Sequence, residues 1–302
     1  MLHPITFSFP EEKIIREIPV KTKLISSLIP GNLSTYIYTN ETDYYNEYRN
    51  SLFAITTKKA GWDCMRHYEI IANGCIPYFP KIEECPPNTM ALLPKNLIKE
   101  GNLLYDKHKN TTLTNLTATD IEQCKELIKK LLTYLQNNLT TAKMAKYILR
   151  LIRSNLDTTK KDVKSVLYLS GQTSPDYLRC VTLHGFKTIF GSRCHDYPKV
   201  PHIYKSSTIN YSQLYGRGIT YTNLLDPYFR DESLDKTIEE DILNKKYDIV
   251  IYGSYHRGMP YYDIVSRIYP ASDIILLCGE DIHMCNYTSW VNKGHHVFVR
   301  EL

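Results

Sequence analysis

Short runs of β-branched and aromatic residues alternate with helix-patterned segments along this chain, and this alternation limits its fold more than any other feature. "ITFSF" (5–9), "STYIYT" (34–39) and "LFAITT" (52–57) read as strands in the first half. "VLYLSG" (166–171), "YDIVIYGS" (247–254), "SDIILLCGE" (272–280) and "HHVFVREL" (295–302) repeat the signal in the second. Helical patterning fills the gaps. "ETDYYNEYRNS" (41–51) is one such segment. In 117–139 a Thr/Asp start precedes an apolar stripe of Ile121, Cys124, Leu127, Leu131, Leu132 and Leu135, and 140–156 repeats the pattern. Alternation of this kind predicts an α/β protein with open, mainly parallel sheets covered by helices.

At 302 residues the chain exceeds one ordinary core. The polar stretch "DTTKKDVKS" (157–165) is the expected boundary, giving domains over 1–160 and 161–302, each with its own sheet. An apolar content of 43% with 23% charged residues excludes a disordered chain. No apolar run reaches the length of a membrane span, and the N-terminus lacks a basic segment followed by an apolar core, so a cytoplasmic protein is expected. The eight cysteines form no CxxC pair and sit largely in apolar runs, which predicts reduced, buried thiols. A net charge of +5 from dispersed lysines suits an anionic ligand and not a nucleic acid.

The most informative stretch is "KKAGWDCMRHYEIIANGCIPYF" (58–79). A helix starting near Gly61 places Arg66, Glu69 and Asn73 on one polar stripe, by the i, i+3, i+7 rule. Met65, Tyr68, Ile71 and Ala72 fall on another side, toward the sheet. The helix N-terminus then lies beside Lys58 and Lys59, so that amides, dipole and cations converge where a phosphate would bind. Arg66 adds a bidentate clamp, and the Glu69 carboxylate can accept hydrogen bonds from a ribose or sugar diol. Gly74 closes the helix before a short strand. The layout suits a nucleotide-sugar diphosphate.

"RHYEIIANGCIPYF" resembles the donor-binding motif of glycosyltransferases with two facing Rossmann-like domains (the GT-B type), and in particular of exostosin-like enzymes. Those carry Arg-x-x-Glu on a helix, followed by Gly, a small residue, Ile or Val, and Pro. The preceding "YRNSLFAITTKKAGWD" resembles their strand and loop leading into that helix. The match is close over about 44–80 and weaker to about 155. The resemblance implies a metal-independent hexosyl- or pentosyltransferase that uses a nucleoside-diphosphate sugar and needs no other cofactor. In it Lys59 and Arg66 face the diphosphate and Glu69 the ribose or sugar hydroxyls. In the resembled enzymes the donor-binding domain is usually the second; here it comes first, so the second half is the candidate acceptor domain.

In that half "YGSYHRGMPYYD" (252–263) places His256 and Arg257 just after a strand's carboxyl end, where open α/β sheets bind ligands. His256 is the candidate general base on an acceptor hydroxyl, and Arg257 can offset phosphate charge. "CGEDIHMC" (278–285) offers Glu280, Asp281 and His283, a weak metal pattern in which helix capping by Asp281 is the stronger reading, and no metal is expected. "SGQTSPDY" (170–177) has a glycine after a strand but lacks the GxGxxG fingerprint of a dinucleotide enzyme. "LYGRGITYT" (214–222) combines aromatics, glycines and Arg217, a composition shared by sugar-stacking surfaces and tyrosine-rich cores. The expected function is transfer of a sugar to a glycan or other hydroxyl acceptor in glycan synthesis. Its rival is a sugar-nucleotide or glycan-binding module without turnover, marked by a base far from the Arg66 helix.

Overall fold

A computed structural model of the chain describes residues 1–153, 162–281 and 285–302. In chain order its strands are β1 (Leu2–Pro4), β2 (Lys23–Ile25), β3 (Ser51–Ile55), β4 (Ile76–Tyr78), β5 (Val166–Leu169), β6 (Cys194–Tyr197), β7 (Ile249–Tyr252), β8 (Ile274–Cys278) and β9 (His296–Val299). The α-helices are α1 (Glu41–Asn50), α2 (Met65–Ala72), α3 (Lys95–His108), α4 (Ala118–Asn138), α5 (Thr141–Arg153), α6 (Tyr177–Phe190), α7 (Ile238–Leu243), α8 (Tyr262–Ile268) and α9 (Tyr287–Asn292).

The protein is α/β, with two parallel sheets. Strands β2, β3 and β4 form a three-stranded sheet, and the other six pair in the order β1-β9-β8-β7-β5-β6. The second sheet is covered on both faces, which is why "VLYL", "IVIY", "IILLC" and "HVFV" carry no outward polar residue and are buried throughout. Its order reverses at β5. The chain goes outward to β6, then returns to build β7, β8 and β9 on the other side, leaving a switch point between the carboxyl ends of β5 and β7.

One apolar cluster joins the sheets, running from Phe53 and Tyr68 through Leu131 and Ile148 to Tyr168 and Ile251. A second, with Leu167, Val250, Leu276 and Val297, fills the far face of the larger sheet. Strand β1 pairs with β9, with Leu2 opposite Val297. The first residues of the chain therefore complete the sheet of 161–302, although the expected boundary places them with 1–160. Helix α5 also reaches that sheet's layer, since Gly185 of α6 lies so close to Thr141 that only a hydrogen fits. Of the expected linker 157–165, residues 157–161 lie outside the described residues.

Several local expectations need correction. "ITFSF" is extended but is not a ladder strand; Ile5 donates to the Val299 carbonyl and Phe9 forms an isolated bridge to Thr140. "STYIYT" starts with a 3₁₀ turn at Leu33–Thr35 capped by Asn32, and the strand of that region is β2. Cys278, the last residue of β8, and Cys285 are joined as a disulfide, their Cα atoms 6.3 Å apart, a separation that the bond can span. The other six cysteines are free thiols, as expected. No helix among the described residues is long and apolar enough to cross a membrane.

Candidate functional site

The loop before α2 departs first from expectation. The helix begins at Met65, not near Gly61, because residues 61–63 are pinned to the chain's end. The backbone N–H groups of Trp62 and Asp63 donate to the Glu301 carboxylate at 3.0 and 2.9 Å. Gly61 faces the same carboxylate too closely for a side chain. The Lys58 ammonium lies 5.0 Å from the Trp62 ring centroid, and both Lys58 and Lys59 are exposed. Amides and lysines therefore do not converge on one anion position: Glu301 already takes the amides.

The expected polar stripe is also redistributed. Asn73 is fully buried, donating to the Glu69 carbonyl and accepting from Arg49 Nε at 2.9 Å, so it finishes the helix and faces no ligand. Glu69 is buried as well. One carboxylate oxygen accepts from the Tyr44 hydroxyl at 2.8 Å and the other from the Thr220 hydroxyl at 2.6 Å. Burial pushes its pKa up against those two donors. Glu69 thus ties the two halves of the chain together, and neither oxygen is open to a sugar diol as expected. Arg66 differs from both. Its guanidinium lies 5.8 Å from the Tyr36 ring centroid, and Nε and Nη1 are buried with no hydrogen-bond partner.

Opposite α2 runs a strap, residues 211–222. Thr220 anchors it: its N–H donates to Glu41 at 2.7 Å, its hydroxyl to Glu69, and Tyr45 shares that hydroxyl at 2.7 Å. It does so at φ +76°, a conformation a β-branched residue seldom adopts without compensation. Arg217 Nη1 reaches across to the Tyr38 carbonyl. Tyr215 is exposed and meets Tyr177 edge-on, centroids 6.0 Å apart. The Tyr177 phenol is raised well above its ordinary pKa by burial first, then by Glu69, with Arg66 opposing, which sets it within electrostatic reach of both.

Asp176, the residue before Tyr177, belongs to the switch-point cluster. It caps α6 by accepting from the Arg179 N–H, accepts from Ser254 at 2.7 Å and pairs with Arg257 Nε at 3.3 Å. Arg257 also donates to Ser174 and to the Pro175 carbonyl, so it braces the loop after β5 and is not free for phosphate. His256 Nε2 is 2.7 Å from Glu280, while its Nδ1 is buried without a partner. Arg257 Nε also lies 3.3 Å from Nε2, but the shorter Glu280 contact needs a donor, so in the neutral ring Nε2 carries the hydrogen and Nδ1 the lone pair. Burial pulls the imidazole pKa down and Glu280 works against it.

The structure thus brings His256 and Arg257 together at the switch point, and Arg66 and Glu69 together under the strap. The start of α6 links the groups: Asp176 faces one and Tyr177 the other. Glu280 is on His256 and Asp281 on Arg300, while His283 lies outside the described residues. Among the described residues no group of three or more His, Cys, Asp or Glu side chains could hold a metal ion. A cavity of about 750 Å³ lies elsewhere, beside Lys146, Arg150 and Arg193, and no candidate residue lines it.

Sequence reasoning missed Thr220, Tyr177, Asp176 and Glu301. The glycines of "YGRGIT" are a turn signal that the composition reading of 214–222 did not use, and nothing in one sequence pairs Thr220 with Glu69. Compared with known proteins, the chain matches no family model, no curated protein and no solved structure.

Proposed function

We propose that this protein is a glycosyltransferase that moves a sugar from a nucleoside-diphosphate sugar to an acceptor hydroxyl, with its two sheets forming the two lobes of a GT-B-like enzyme. The single observation that carries the reading is the Arg66 guanidinium, buried without a carboxylate or carbonyl partner at Nε and Nη1. Buried N–H groups of a cation left without an acceptor are costly, and an anionic ligand supplies acceptors for them. In this reading Arg66 meets the charge that develops on the departing diphosphate. Lys58 and Lys59, exposed on the loop before α2, add positive potential nearby.

His256 is the base. Glu280 holds Nε2–H, and Nδ1 takes the proton of the acceptor hydroxyl as oxygen attacks the sugar carbon and the diphosphate leaves. Glu69 has a changed role: it fastens the strap through Thr220 and does not touch the donor.

Titration of the full chain with UDP, GDP, ADP and CDP tests the reading. Arg66→Ala should weaken the preferred diphosphate by about 1.5–3 kcal/mol. Equal affinity in both proteins across the panel would sink it. A second reading, binding without turnover, is favoured by the closure of His256 Nδ1 from solvent. It predicts diphosphate binding with neither transfer nor sugar-nucleotide hydrolysis, and His256→Ala would then change nothing measurable.

A further inference from the structure

We infer that Tyr215 is the platform on which the nucleobase of the bound nucleotide stacks. This rests on the reading of Arg66 as the phosphate ligand. Tyr215 is 65% exposed, yet the turn that carries it is tied down. Its carbonyl accepts from the Tyr221 hydroxyl at 2.7 Å, and the Arg217 N–H closes a turn onto Leu214 at 2.8 Å. Gly216 follows at φ +57° and is pressed so closely on the Tyr177 hydroxyl that any Cβ would clash. Arg217 then takes φ +55°, a strained choice for a residue with a side chain, and reaches the Tyr38 carbonyl.

The strained turn does not bury the Tyr215 ring. It fixes the ring at the surface end of an aromatic series in which Tyr177 meets Tyr221 at 4.4 Å. Strain kept for an exposed side chain points to a ligand and not to the core. The position fits as well. The strap that carries Tyr215 is tied to Tyr38, two residues beyond Tyr36, the ring beside the Arg66 guanidinium. Phosphate at Arg66 and a planar ring on Tyr215 are the two ends of one nucleotide. A phenol face accepts any base by stacking, whereas the nearby Thr220 hydroxyl is already bonded to Glu69.

The test compares nucleoside diphosphates with inorganic pyrophosphate by calorimetry on the full chain. Wild type should bind at least one nucleoside diphosphate more tightly than pyrophosphate. Tyr215→Ala should lower that affinity roughly tenfold to a hundredfold while leaving pyrophosphate unchanged, and Tyr215→Phe should keep it. Loss of pyrophosphate binding by the same factor, or no loss for the nucleotide, overturns the inference. Uncharged nucleosides, followed by saturation-transfer NMR, separate its failure from that of the Arg66 reading. Their signal should vanish in Tyr215→Ala and persist in Arg66→Ala. Persistence in Tyr215→Ala overturns the stacking role even if Arg66 binds phosphate. If Arg66→Ala leaves pyrophosphate affinity intact while Tyr215→Ala abolishes the nucleoside signal, the phosphate reading falls and the stacking face stands.

Discussion

Arg300 and Arg66 are both withdrawn from solvent near the junction of the two sheets, yet their surroundings are opposite. Arg300, just past β9, is fully buried and fully engaged. It donates twice to the Gly279 carbonyl, to Glu301 at 2.8 Å, to the Asp63 carbonyl and to Asp281. Arg66, in the first turn of α2, has an aromatic neighbour and two buried nitrogens without a partner. The first guanidinium is part of the fold, because the chain supplies every group it needs. The second keeps two buried N–H-bearing nitrogens that no described residue pairs. Burial of a cation is therefore not a functional signal in itself; its hydrogen-bond census decides.

The sharpest break of this contrast is Arg300→Ala. It strands Glu301, Asp281 and two carbonyls, and should lower unfolding stability in urea by about 3–5 kcal/mol. A loss below 1 kcal/mol would put the two arginines in one class. Arg66→Ala should change the stability of the ligand-free protein by about 1 kcal/mol or less, since Nε and Nη1 make no hydrogen bond to lose and Glu69, which loses a favourable nearby charge, keeps its Tyr44 and Thr220 donors. Its effect should appear in diphosphate affinity, and a collapse of stability with no change in affinity would reverse the assignment.

Thr220→Val probes the tie between the regions. It keeps the shape but deprives Glu69 of one donor, which should cost about 1–3 kcal/mol in the same denaturation experiment. Near-zero loss would mean that the strap is held by Arg217 and Glu41 alone. The smallest effect concerns pH. Burial works against ionisation of Glu47, but Lys23, the Ser27 amide and the Tyr38 hydroxyl prevail and hold its pKa down to about 2. A folded-state value below the unfolded one stabilises fully above the ordinary glutamate value of 4.5, and this contribution is lost as pH falls toward 2. Glu47→Gln should flatten stability against pH in that window, and an unchanged slope would assign it to other carboxylates.

What could be read from the sequence follows the range of the forces involved. Strands β5, β7, β8 and β9 were legible because a strand buried on both faces must be apolar throughout, and α4 because its capping box of Thr117 and Asp120 and its apolar stripe are local. Strand β6 reads "CHDY" and was hidden. Its Asp196 can be buried because Lys187 meets it at 2.8 Å and the Tyr204 hydroxyl donates to it at 2.7 Å, and His195 because Tyr247 and Asp235 bond its two ring nitrogens. Helix α6 was missed for a related reason: it is covered all round and shows no amphipathic period.

The sequence alone determined the α/β class, the order of most elements and the motif helix, since backbone propensity and hydrophobic period act over a few residues. Tertiary structure decided which motif residues keep polar groups unpaired. Glu69 is closed by Thr220, 151 positions away, and the amides of Trp62 and Asp63 by Glu301, more than 230 positions away. Arg66 alone of that stripe keeps unpartnered nitrogens, because what distant residues bring to a side chain depends on packing and not on its neighbours in sequence.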